Sequence, residues 1–154
     1  VTGVQTCALP IFGRPAEKGF EPELSLKPVA DRLAQLLGQP VTFVPDCVGP
    51  AATAAVAALR DGEVALLENL RFHPGEAAND PAFAGQLAAL ADVYVNDAFG
   101  TSHRDAASMT GVPGALRGGV AGDLVKREVE VIHRALKRPA RPFVAVLEIG
   151  RAHV

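Results

Sequence analysis

Leu66-Leu67-Glu68-Asn69-Leu70-Arg71-Phe72-His73-Pro74-Gly75-Glu76 passes from an apolar segment to a charged, turn-rich one within a few residues. Val64 to Leu67 is apolar without polar alternation, the pattern of a short strand buried on both faces. Strands of that kind make parallel sheets covered by helices on both sides, and ligands bind beyond their carboxyl ends. Arg71 stands in that place. A second apolar segment, Val93 to Val95, leads into Asn96-Asp97-Ala98-Phe99-Gly100-Thr101-Ser102-His103-Arg104 and sets Arg104 past another strand end. A guanidinium is planar and offers paired donors, which suits a carboxylate or a phosphate. Two of them from separate strands point to a small ligand with more than one anionic group.

Outward from this stretch, helical and strand patterns alternate. Leu24 to Leu37 carries apolar residues at Leu26, Val29, Ala30, Leu33, Leu36 and Leu37, a helical period. Ser25 is placed to cap that helix, and Gly38 with Pro40 to end it. Val41 to Val44 reads as a strand, and Gly49 to Leu59 as an Ala-rich helix stopped by Asp61-Gly62. Asp80 caps, and Pro81 opens, a helix running to Leu90. Gly111 to Gly122 reads as irregular, Asp123 to Leu136 as a charged helix, and Phe143 to Leu147 as the start of another strand beyond Pro139 and Pro142. This order predicts the α/β class: a three-layer, mostly parallel open sheet of Rossmann-like kind with right-handed crossovers.

Composition narrows the function. A net charge of −2 gives no basis for a nucleic-acid or membrane-surface partner. No apolar run is long enough to cross a bilayer. The two cysteines, Cys7 and Cys47, make no disulfide framework, as expected of a reducing compartment. His73 and His103 lack metal-ligand spacing, so no metal is expected, and Cys47 reads as a small packing residue. Asn96 and Asp97 are expected to shape the strand end through local backbone hydrogen bonds. Gly75 and Gly118-Gly119 form no phosphate-binding fingerprint, and Lys126-Arg127-Glu128 reads as a solvated helix face.

Taken in order, several runs resemble the N-terminal domain of the phosphoglycerate kinases from Phe12 to Leu147. They are Gly13-Arg14-Pro15, Ser25-Leu26-Lys27-Pro28-Val29-Ala30, Asp46-Cys47-Val48-Gly49, the two arginine-bearing runs, and Arg141-Pro142-Phe143-Val144-Ala145-Val146-Leu147. The resemblance implies an acceptor-binding α/β domain over 12–122, an interdomain helix and linker over 123–142, and the first strand of a nucleotide-binding domain over 143–147. It implies transfer of a phosphoryl group between 1,3-bisphosphoglycerate and ADP, or in reverse from ATP to 3-phosphoglycerate, in glycolysis. A cytoplasmic, monomeric parent enzyme follows from the same resemblance.

Phe12, Gly13, Arg14, Arg71 and Arg104 are similar to the family's 3-phosphoglycerate-binding residues, and Arg14 also to one that stabilises transition-state charge. Mg-ADP or Mg-ATP is implied for the parent protein, whose nucleotide domain would follow in cis. The chain itself is expected to bind neither well and to turn over no substrate. Val1–Ile11 and 148–154 do not follow the family pattern and read as translated sequencing-adapter DNA. On that reading the strand before Arg14, a substrate-contacting His, an Asp-x-Asn segment and a further early arginine are missing. Ala106 stands where the family usually carries a second His. The alternative is a non-catalytic α/β module that binds a small phosphorylated acid with the same arginines.

Overall fold

The computed structural model describes residues 4–16 and 19–144. In chain order the elements are β1 (Thr6–Ala8), α1 (Lys27–Leu37), β2 (Val41–Val44), α2 (Gly49–Ala57), β3 (Val64–Leu67) and α3 (Pro74–Ala77). Then come α4 (Pro81–Ala88), β4 (Val95–Asn96), α5 (Val112–Ala115), β5 (Val120–Ala121) and α6 (Asp123–Lys137). The first sheet has the order β1-β3-β2, and both pairs are parallel. β4 and β5 form a separate parallel pair.

The central strand β3 explains the layering. Successive side chains of a strand point to opposite faces. Leu66 packs with Leu26 and Ala30 of the α1 segment, against which Val41 and Phe43 of β2 also lie. Ala65 and Leu67 point the other way, into a cluster with Val44, Ala52 of α2, Leu59 and Leu90. Helices therefore cover both faces, and this is why Val64–Leu67 shows no polar alternation. A third cluster lies at the strand ends: Cys47, Leu70, Phe83, Leu87, Ala107 and Val112 pack α4 and α5 beneath the loops that follow β2 and β3.

The predicted β2 and β3 are observed with the predicted bounds, and Gly38 ends α1 in the left-handed conformation at φ 66°. Asp80 caps α4, its carboxylate accepting from the Phe83 N–H at 2.7 Å. Other boundaries differ. α1 begins at Lys27, and the Ser25 hydroxyl donates to the Glu68 carboxylate at 2.6 Å while the Leu26 N–H donates to the same carboxylate at 2.8 Å. A residue from the end of β3 thus holds the start of α1. Thr6–Ala8, within the segment set apart by its sequence, supplies β1, so a strand does precede Arg14. The second apolar strand is Val95–Asn96 rather than Val93 to Val95, and Val93 is exposed. Gly111 to Gly122 is not irregular: it contains α5 and β5, after a π-helical turn over Ala107–Gly111. Phe143 and Val144 are outside any strand, and Ala145 to Leu147 lie outside the described residues.

Candidate functional site

The chain leaves β3 through two fully hydrogen-bonded buried polar residues. Glu68 accepts from Ser25, Leu26 and, at 2.8 Å, the Asn69 N–H. Asn69 is 0 % exposed and uses both ends of its amide. Its Oδ1 accepts from the N–H groups of Phe12 and Arg71, both at 3.1 Å. Its Nδ2 donates to the carbonyls of Phe12 at 2.7 Å and Leu24 at 3.1 Å. A buried polar group is tolerated when satisfied, and a satisfied network fixes one geometry. Asn69 therefore clamps the Phe12-Gly13-Arg14 loop to the turn Leu70–Phe72 that carries Arg71. The Arg71 guanidinium completes the joint by donating to the Gly13 carbonyl. Phe72 of this turn meets Phe20 edge-on, with ring centroids 5.3 Å apart.

Arg104 reaches the same frame by a different route. Its loop is tied back to α3, the helix after Arg71. Buried Glu76 of α3 accepts from the Ser108 N–H at 3.0 Å and from the Ser108 hydroxyl at 2.5 Å. Asn79, held at φ 49°, donates to Asp105 at 2.8 Å and to Thr110 at 3.0 Å. Upstream, Asn96 accepts from the Ala98 N–H at 2.9 Å, the local bond expected of it. Asp97 acts at longer range: its carboxylate accepts from the N–H groups of Leu124 at 2.7 Å and Val125 at 3.2 Å, at the start of α6. Asn96 at the end of β4 and Asp97 just after it thus hold the Arg104 loop and α6. Ala106 is buried at the start of the π turn, and its carbonyl accepts from Thr110.

Among the described residues no acidic side chain pairs with the arginines of these loops. The ion pairs among the described residues are Lys27–Asp31 and Arg60–Glu63, and His73 and Asp46 share a hydrogen bond. Arg14, Arg71 and Arg104 take part in none of them. Arg14 and Arg104 are exposed, and Arg71 is half-buried. The bonds of Asn69 and of the Arg71 guanidinium tie the Arg71 turn to Phe12 and Gly13, the two residues before Arg14. No hydrogen bond or ion pair among the described residues links Arg104 to Arg14 or Arg71.

Sequence reasoning placed the arginines and missed the residues that position them. Glu68 and Asn69 are the positioning residues that the sequence alone does not assign. Two consecutive polar residues at the end of an all-apolar strand were the available signal, since a polar residue there must find partners. Cys47 is buried as expected, and its thiol lies 2.9 Å from the Glu68 carbonyl, to which it donates. Burial, followed by the negative charges of Asp46, Glu68 and Glu76, pushes the Cys47 thiol far above its usual range. Cys7 is pushed up to about 11 by burial. No helix among the described residues is long and apolar enough to cross a membrane.

A parallel sheet covered on both faces, with arginine-bearing loops at its strand ends, defines an α/β domain of the doubly wound, Rossmann-like class. Comparison with known proteins supplies the family. The model of the phosphoglycerate kinase family matches residues 3–150, and the chain belongs to that family. It is 58% identical over 123 residues to the phosphoglycerate kinase of Synechococcus sp. (strain JA-3-3Ab), covering 80% of this chain and 30% of that one. To the phosphoglycerate kinase of Moorella thermoacetica it is 55% identical over 152 residues, covering 99% of this chain and 38% of that one. Its fold is similar to that of the phosphoglycerate kinase from Pyrococcus horikoshii at a TM-score of 0.78 and 30% identity, covering 91% of this chain and 35% of that one. The enzyme from Coxiella burnetii matches at a TM-score of 0.75 and 38% identity, covering 89% of this chain and 33% of that one. The chain thus spans about a third of the length of the relatives it matches.

Proposed function

We propose that the chain supplies the acceptor side of a phosphoglycerate kinase, which moves a phosphoryl group between 1,3-bisphosphoglycerate and ADP. Phe12, Gly13, Arg14, Arg71 and Arg104 bind 3-phosphoglycerate, and Arg14 offsets charge in the transition state. The observation that carries this reading is the set of arginines at the strand ends without an acidic partner among the described residues, with Asn69 tying the Arg71 turn to Phe12, two residues before Arg14. Phosphoryl transfer to a carboxylate brings two anions together, so positive charge is needed to offset their repulsion and to fix the acceptor. Held cations do this without reorganising at the moment of reaction. The nucleotide, as Mg-ADP or Mg-ATP, is the work of the remaining two-thirds of such a protein, in a cytoplasmic monomer. No residue described here is assigned to it.

The test is a titration of the chain with 3-phosphoglycerate, followed by amide NMR shifts. Shifts concentrated at Phe12–Arg14, Leu70–Phe72 and Thr101–Arg104, and weakened by Arg71→Ala, are expected. Shifts that avoid all three segments, or that are unchanged in Arg71→Ala, overturn the reading.

A further inference from the structure

His73 lies far from His103 in the sequence, and its partners in the fold are others. Its Nε2 is 2.8 Å from the Oδ1 of Asp46, in the turn after β2, and its ring stacks on Phe83 with centroids 5.0 Å apart. Cys47, the neighbour of Asp46, turns inward beneath them. One imidazole nitrogen, one thiol sulfur and one carboxylate oxygen lie within 4.8 Å of one another. We propose that Asp46, Cys47 and His73 bind a thiophilic divalent cation of the Zn²⁺ class, which links the β2–α2 turn to the loop that carries Arg71.

The donor set fits such an ion. Zinc takes imidazole, thiolate and carboxylate ligands at about 2.0–2.3 Å, so tetrahedral ligand atoms sit about 3.5 Å apart. The His73–Asp46 separation of 2.8 Å would widen as the cation takes the place of that hydrogen bond, and all three atoms already lie within 4.8 Å of one another. Three protein ligands leave a fourth position for water. It can open outward, because the His73 and Asp46 side chains are 30% and 49% exposed. The Asp46 carboxylate supplies one negative charge to the site itself. On binding, the Cys47 S–H bond and its hydrogen bond to the Glu68 carbonyl are given up for a sulfur–metal bond, and the proton leaves to solvent. Phe83 stacked on the imidazole holds the ring plane and reduces the ordering that binding requires.

Co²⁺ is the probe, because thiolate ligation to it gives an intense near-ultraviolet charge-transfer band. The reduced chain is titrated with Co²⁺, then back-titrated with Zn²⁺. The expected result is a saturable band at one equivalent, displaced by Zn²⁺ and retained in Cys7→Ser and His103→Asn. His73→Asn, at a partly exposed position, should weaken binding by about a hundredfold or more, beyond the loss typical of an outer-shell partner. Cys47→Ser should abolish the band, and the His73 variant decides the matter if Cys47→Ser does not fold. No band in the parent chain, a band lost in Cys7→Ser, or unchanged affinity in His73→Asn overturns the proposal.

Discussion

Replacing Asn69 by alanine removes four hydrogen bonds in one step: those from the Phe12 and Arg71 N–H groups and those to the Phe12 and Leu24 carbonyls. A hydrogen bond contributes about 0.5–1.5 kcal/mol net, which gives roughly 2–6 kcal/mol for the set. Phe12 is 47% exposed, so its backbone groups can turn to water, and the lower half of that range, about 2–4 kcal/mol, is expected. At roughly 3 °C per kcal/mol for a chain of this size, Tm falls by about 6–12 °C. Urea titration and thermal melting followed by circular dichroism measure it. Asn69→Asp gives a sharper test because it is isosteric. It keeps the acceptor and loses both donors, so a carboxylate faces two carbonyl oxygens. That surrounding favours the protonated acid, which raises its folded pKa above the ordinary 3.9 or so of an aspartate. The native state of this variant then holds its proton more tightly than the unfolded state does. Its stability relative to Asn69→Ala should rise as pH falls through that raised pKa toward 3.9. An Asn69→Ala loss below about 1 kcal/mol, or an Asn69→Asp variant as stable as the parent at neutral pH, would refute the clamp.

Arg71→Ala should weaken 3-phosphoglycerate binding by about tenfold to a hundredfold, the loss of a charge-assisted contact, and Arg71→Lys should restore only part because it loses the fork; calorimetry reads both. Asp97→Ala should cost about 1 kcal/mol by uncapping α6, seen as faster amide exchange at Leu124 and Val125, with protection in the β3 core unchanged. Gly119→Ala puts a Cβ 2.6 Å from the Tyr94 ring, closer than packing allows, and should cost about 1–3 kcal/mol in urea. Cys7, with its thiol raised from 9.0 to about 11, should alkylate about a hundredfold more slowly than a free thiol at neutral pH, the rate rising with pH until that value is passed; mass spectrometry after timed iodoacetamide treatment follows it.

What the sequence determined on its own was local. Val41–Val44 and Val64–Leu67 are strands because an unbroken branched and apolar run has no other place than between two helical layers. Gly38 and Asp80 mark helix ends because a left-handed turn and an amide-accepting carboxylate are properties of single residues. The loop positions of Arg71 and Arg104 were legible in the same local way, because each lies in the polar, turn-rich run that follows an apolar segment. What the tertiary structure decided were pairings across long intervals. Val120–Ala121 has no strand pattern and is exposed, and it becomes β5 only because β4 lies beside it. Ser25 does not cap α1 by itself, because Glu68 arrives from the end of β3 to hold both its hydroxyl and the Leu26 N–H. Asp97 caps a helix 27 positions away along the chain instead of its own strand end. His73 finds Asp46 and Cys47, which lie 27 and 26 positions before it along the chain. The physical reason is that a backbone propensity belongs to a residue and its neighbours, whereas a strand edge or a polar side chain is satisfied by whichever donor or acceptor the fold brings within about 3 Å.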